Sequence, residues 1–194
     1  MRCDYCYNAD IVFGKGTIST DEALNFLKSR IGLLDAVVLS GGEATLFKEL
    51  IPFAQQIKAM GFKIKLDTNG TSPAVIQALT DQKLIDFISL DYKAPEAKFQ
   101  DLTHHQHFEV FNQTLLQLID SAFPFEARTT VHRDLLDEND INAIIEDLHA
   151  KGYKGTYYIQ NFLYDDNTIA KLKAPLKCLE KKLLSPLLHV EFRN

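Results

Sequence analysis

Between Ser19 and Gln160 the sequence alternates five times between a helical pattern and a short strand-like run, and that order admits few folds. Ser19-Thr20-Asp21-Glu22 reads as a capping box that opens a helix to about Arg30, with Gly32 as its stop. Ala36 to Ser40 follows as a mostly apolar run, the pattern of a strand buried on both faces. A second helix is expected over about Phe47 to Met60, closed by Gly61. The strand Phe62 to Asp67 comes next, with Ile64 and Leu66 alternating with Lys63 and Lys65. Ser72-Pro73 gives an N-cap and a proline at the first position of a helix to about Gln82. A strand from Ile85 to Asp91, a helix over about Phe108 to Ala122 and a strand from Phe125 to Val131 continue the series. Asp137 to Asp140 caps a helix to about Lys151, Thr156 to Gln160 is a fifth strand, and His189 to Arg193 is a candidate sixth.

Such alternation with short connections predicts an α/β fold with a parallel sheet and its helices outside, either an open doubly wound sheet or a partial or whole barrel. Both architectures place ligands at the carboxyl ends of the strands, and periodicity does not separate them. With 194 residues, 46% of them hydrophobic, the chain can bury one sizeable core, and residues 1–194 read as a single domain without linker or repeat. A net charge of −5 with no long basic run argues against a nucleic-acid surface, and no apolar stretch reaches membrane-spanning length. Three cysteines and no secretory leader predict a reducing, cytoplasmic setting.

Polar groups recur at every strand end. Gly41-Gly42-Glu43 follows the first strand; paired glycines let backbone approach a ligand, and the carboxylate can accept from an ammonium. Asp67-Thr68-Asn69-Gly70 closes the second strand and reads equally as an Asn-Gly turn; Asp91-Tyr92-Lys93 closes the third and reads equally as an ion pair. Arg128 lies inside the otherwise apolar fourth strand and needs an anionic partner or a water-filled cavity. Gln160-Asn161 ends the fifth. Together they point to one site for a ligand with ammonium, carboxylate and hydroxyl groups. At the start of the chain, Cys3-x2-Cys6 suits a zinc half-site, an iron–sulfur cluster edge, a redox dithiol or simply two buried cysteines. The remaining cysteine, Cys178, offers no second pair, and His104, His105 and His107 read as a solvated polar connection.

The order Cys3-x2-Cys6 with Tyr5 before the second cysteine, Gly41-Gly42-Glu43, Leu66-Asp67-Thr68-Asn69-Gly70, then Leu90-Asp91-Tyr92-Lys93 resembles the radical S-adenosylmethionine enzymes. Within them the chain is similar to activating proteins of glycyl radical enzymes. The runs Phe62 to Thr71, Arg128-Thr129-Thr130-Val131 and Leu135-Leu136-Asp137 most resemble the activating protein of anaerobic ribonucleoside-triphosphate reductase, and are similar also to pyruvate formate-lyase activating enzyme. The resemblance runs from Arg2 to about Leu163 and implies a partial (βα)6 barrel. It implies Cys3 and Cys6 as ligands of a 4Fe–4S cluster, Tyr5 beside the adenine of S-adenosylmethionine, and Gly41, Gly42 and Glu43 around its methionyl ammonium. Asp67, Thr68 and Asn69 would line the next strand end, Asp91 and Lys93 would contact methionine or ribose, and Arg128 would lie near the carboxylate. Gln160 occupies the last strand end. The implied activity forms a 5′-deoxyadenosyl radical that removes hydrogen from a glycine of the partner reductase, with a flavodoxin- or ferredoxin-type protein as electron donor.

Two departures shape the expectations. A C-x3-C-x2-C motif would place its first cysteine upstream of Met1, so this start is expected to be internal or the chain a fragment, with the first barrel strand missing and the cluster labile. The chain alone is then expected to be impaired, with an exposed strand edge. Ala44 replaces the proline of the usual Gly-Gly-Glu-Pro, which loosens a turn and removes no ligand. Two other functions stay open: radical chemistry on a small molecule, as in deazaguanine synthases, and a degenerate, cluster-free binding domain.

Overall fold

Six strands pair in the order in which they occur in the chain, and every pair is parallel: β1 (Ala36–Leu39), β2 (Lys63–Thr68), β3 (Phe87–Asp91), β4 (Phe125–Val131), β5 (Tyr157–Asn161) and β6 (Val190–Arg193). This arrangement comes from a computed structural model that describes residues 1–6, 9–14, 16–164, 168–175 and 177–194. A doubly wound sheet needs a reversal of strand order, and none occurs here. Right-handed crossovers without reversal place the helices on one face, and the sheet curls as a partial barrel around the other. The strand order thus decides between the two architectures that the sequence pattern left open.

The helices are α1 (Ala9–Phe13), α2 (Thr20–Lys28), α3 (Leu50–Ala59), α4 (Pro73–Asp81), α5 (Glu96–Thr103), α6 (Phe108–Asp120) and α7 (Glu138–Ala150). Both capping boxes form: Ser19 with Glu22 begins α2, and Asp137 with Asp140 begins α7. Ser72 sits at the start of α4 but makes no side-chain cap; its carbonyl instead accepts from Val75 and Ile76. The helix expected from Phe47 starts at Leu50, because the Glu43 side chain first caps a 3-10 turn over Ala44–Leu46. Neither α1 nor α5 was anticipated. Among the described residues no helix is long and apolar enough to cross a membrane.

Side chains alternate along each strand, so the two faces of the sheet differ. Leu39, Ile64, Leu66, Ile88, Leu90 and Ala127 lie on the helix side and join Ile57, Ile76, Leu79, Phe111, Leu115 and Ile144 in the buried core. The concave face carries Lys65, Asp67, Ser89, Asp91, Glu126, Arg128, Tyr158 and Gln160 instead. Deep on this face Glu126 accepts from Ser89 at 2.6 Å and from both ends of the Arg193 guanidinium at 3.0 and 2.8 Å, which ties β6 to β4.

The first strand corrects an expectation. β1 is not buried on both faces: Leu39 is buried, but Val38 is 54% exposed. It stands at a sheet edge, and its concave side faces Lys65 rather than a helix layer. An apolar run alone does not tell an edge strand from a central one.

Candidate active site

At the carboxyl ends of the strands lies a cavity of about 240 Å³, far more than one water needs. All thirteen residues singled out from the sequence line it: Cys3, Tyr5, Cys6, Gly41, Gly42, Glu43, Asp67, Thr68, Asn69, Asp91, Lys93, Arg128 and Gln160. The sequence reading missed Met1, Val12, Ser40 and Thr130. For Thr130 a signal existed, since it lies two residues beyond Arg128 on the same face of β4. Val12 had none, because the five residues of α1 are too few to show a periodicity.

Glu43 is held rigidly at the end of β1. Its Oε1 accepts from the Thr45 amide (3.2 Å), the Thr45 hydroxyl (2.7 Å) and the Thr68 hydroxyl (2.7 Å), while Oε2 accepts from the Asn69 amide at 2.8 Å. All four donors are neutral. An ionised carboxylate offers about four lone-pair sites, two on each oxygen, so the remaining capacity lies on Oε2. Gly41, with φ +145°, gives the turn a backbone conformation that side-chain-bearing residues rarely adopt. Gly70 is more constrained: φ is +74°, and a Cβ there would come within 2.9 Å of Leu90 and 3.0 Å of Phe111.

The other charges in the cavity neutralise one another. Arg128 donates through Nε to Asp91 at 2.5 Å and lies 3.3 Å from Asp67 through Nη2; Lys93 pairs with Asp91 at 2.8 Å. Burial disfavours the charged form of Asp91, but the Lys93 ammonium and the Arg128 guanidinium outweigh it and hold the carboxyl below its usual range. By the same pairing Lys93 and Arg128 are pushed up despite burial. Among the described side chains on the lining, Asp67 and Asp91 have ion-pair partners and Glu43 has none. Asp67 also keeps a buried Oδ1 without a hydrogen bond, although Lys65 Nζ lies 3.2 Å away.

The cysteines sit in a short loop at the cavity wall, closed by a hydrogen bond from the Cys6 amide to the Cys3 carbonyl at 3.0 Å. Cys3 is buried, and burial pushes its thiol up. Between them the Tyr5 hydroxyl donates to the Lys93 carbonyl at 3.2 Å, with the Lys93 ammonium 6.0 Å from the ring centre. The loop is docked on α5, whose Thr103 and Leu102 carbonyls accept from Arg2 (3.1 Å) and Asp4 (3.3 Å). His104 caps that helix in a left-handed conformation and meets Asp4 at 2.7 Å.

A polar cavity at the strand ends of a sequentially ordered partial barrel, walled by a two-cysteine loop, defines a class, and comparison with known sequences gives it a family. The profile of the Radical SAM superfamily matches residues 1–148, and the chain belongs to that superfamily. It is 36% identical over 172 residues, 84% of this chain and 68% of the relative, to a provisionally named glycyl-radical enzyme activating enzyme of Methanocaldococcus jannaschii. Among solved structures, Streptococcus suis SuiB bound to S-adenosylmethionine superposes with a TM-score of 0.75 at 11% identity, over 100% of this chain and 47% of SuiB. A domain of pyruvate-formate lyase-activating enzyme from Bacteroides vulgatus gives 0.62 at 16% identity, over 83% of this chain and 100% of that domain. The chain therefore spans about two thirds of the sequence relative and less than half of SuiB.

The superfamily implies S-adenosylmethionine and an iron–sulfur cluster. For the first, the donor set is suitable: a carboxylate anchored by neutral donors, a buried Asp67 oxygen whose neighbour is the Lys65 ammonium, and a guanidinium with N–H groups beyond the two it uses. For the cluster, Cys3 and Cys6 offer thiolates of the right chemistry, but they are two. Among the described residues no group of three Cys, His, Asp or Glu could hold a metal, and Cys178 is exposed and joins none.

Proposed function

We propose that the cavity binds S-adenosylmethionine and that the chain serves as the radical-generating core of a glycyl radical enzyme activating protein. The observation that carries the reading is Glu43: a carboxylate fixed by four neutral donors, with capacity left on Oε2 and no ion-pair partner among the described residues. A ligand bearing an ammonium completes it. Such charge-assisted hydrogen bonds contribute about 1.5–3 kcal/mol each.

The other residues follow. Thr68 and Asn69 hold Glu43, and so position the ammonium through it. Arg128, its charge held by Asp91 and Asp67, directs its remaining N–H groups at the ligand carboxylate; Asp91 and Lys93 contact the methionine or ribose, and Asp67 lines the next strand end beside them. Gly41 and Gly42 keep side chains out of the methionyl end, Tyr5 lies along the adenine, and Gln160 closes the last strand end. Cys3 and Cys6 serve as ligands of a 4Fe–4S cluster. When both cofactors are bound they supply one-electron reductive cleavage of the sulfonium. The chain's own part is to bind, to orient and to exclude water.

The activating role rests on the 36% identity to the M. jannaschii protein. We assign anaerobic ribonucleoside-triphosphate reductase as the partner and a flavodoxin- or ferredoxin-type protein as electron donor, in a reducing cytoplasm. The test is electron paramagnetic resonance of the reductase after anaerobic incubation with this protein, iron, sulfide, S-adenosylmethionine and reductant. A glycyl radical doublet on the reductase supports the assignment. Cofactor cleavage without that signal rejects it in favour of a small-molecule substrate.

A further inference from the structure

The cysteine loop has no helix or strand of its own, yet it is gripped from both sides. On one side the amides of Arg2 and Asp4 donate into the carboxyl end of α5. On the other, its carbonyls accept from a distant part of the chain: Cys6 from the Ile169 amide at 3.0 Å and Asp4 from the Ala170 amide at 3.2 Å. A short loop without regular structure that is bonded on one side only opens more readily than one held on two.

The donor segment is itself locked. Thr168, 4% exposed, accepts the Leu172 amide on its hydroxyl at 2.8 Å and the Lys171 amide on its carbonyl at 3.0 Å, closing a turn in which Lys171 has φ +50°. One residue further on, the Lys173 carbonyl accepts from His132 Nε2 at 2.8 Å. His132 is buried just beyond β4; its Nδ1 accepts from the Asp134 amide at 3.3 Å, which assigns the proton to Nε2. The ring stacks edge-on against Phe162, with centres 4.8 Å apart.

We infer that residues 168–173 form a strap that fixes the cysteine loop at the cavity wall, with Thr168 and His132 as its positioning residues. Their effect reaches Cys3 and Cys6 through the strap's two amides. The order of the thiols is thereby coupled to a segment more than 160 residues away in sequence, anchored at the end of the strand that carries Arg128. The inference deepens the reading of the two cysteines as ligands, but its test needs neither cofactor, so failure of one is distinguishable from failure of the other.

The experiment is the rate of iodoacetamide alkylation of each cysteine in reduced, metal-free protein, resolved by peptide mass spectrometry, with exposed Cys178 as internal reference. Variants are Thr168→Val, which removes the hydroxyl and keeps the shape, His132→Ala, and His132→Gln, whose amide can still donate to the Lys173 carbonyl. Loss of one hydrogen bond from a local opening equilibrium raises the Cys3 rate about tenfold in the first two variants. His132→Gln restores protection, and the Cys178 rate stays constant. An unchanged Cys3 rate in folded Thr168→Val protein overturns the inference. So does a rise in His132→Gln equal to that in His132→Ala, since it would mark a packing role alone.

Discussion

Glu43 and Asp91 are both carboxylates at strand ends, but their surroundings give them different work. Asp91 is paired with Lys93 and Arg128, whereas Glu43 is held by neutral donors, and in the proposed reading its charge meets the ligand's ammonium. Asp91→Asn leaves two largely buried cations without their shared partner, and breaking such a pair costs about 3–5 kcal/mol. Urea denaturation at neutral pH measures it. Because the folded-state value of Asp91 is lowered, its stabilisation is complete above the ordinary carboxylate value of about 4 and is lost as pH falls through the lowered one. The acid limb of the stability–pH curve should flatten in Asp91→Asn. Gly70→Ala meets Leu90 and Phe111 and a positive φ together, and a loss of about 2–4 kcal/mol is expected from overpacking plus strain in the same denaturation assay.

Individual elements differ in how legible they were. β2 was readable because Ile64 and Leu66 alternate with lysines, and the structure gives that burial pattern. β1 was misread: an apolar tetrapeptide carries no record of whether a neighbour covers it. The corresponding prediction is a contrast. Val38→Thr on the exposed face changes stability by less than about 0.5 kcal/mol, whereas Leu66→Ala in the core costs about 2–5 kcal/mol, both read from thermal melts. α5 was missed because its pattern is weakly amphipathic and begins without a side-chain cap. The docking of the cysteine loop was missed with it, for backbone bonds to Leu102 and Thr103 carbonyls leave no mark on side-chain identity.

At the scale of the whole molecule, the alternation of patterns established a parallel sheet, and strand order turned it into a partial barrel whose concave face is polar. Ten of the thirteen cavity positions were legible because they lie at or just beyond the carboxyl ends of strands, whereas Cys3, Tyr5 and Cys6 were picked out by their motif alone. What remained hidden was the electrostatic pairing among them, which depends on cross-strand register rather than on spacing along the chain. That pairing singles out Glu43, and the most direct measurement is calorimetric titration of S-adenosylmethionine into the protein, before and after anaerobic treatment with ferrous iron and sulfide. The account predicts one site, with Glu43→Gln weakening it about 10–100-fold while the melting temperature stays within a few degrees. Equal affinity in the two proteins, or no binding under either condition, would contradict it.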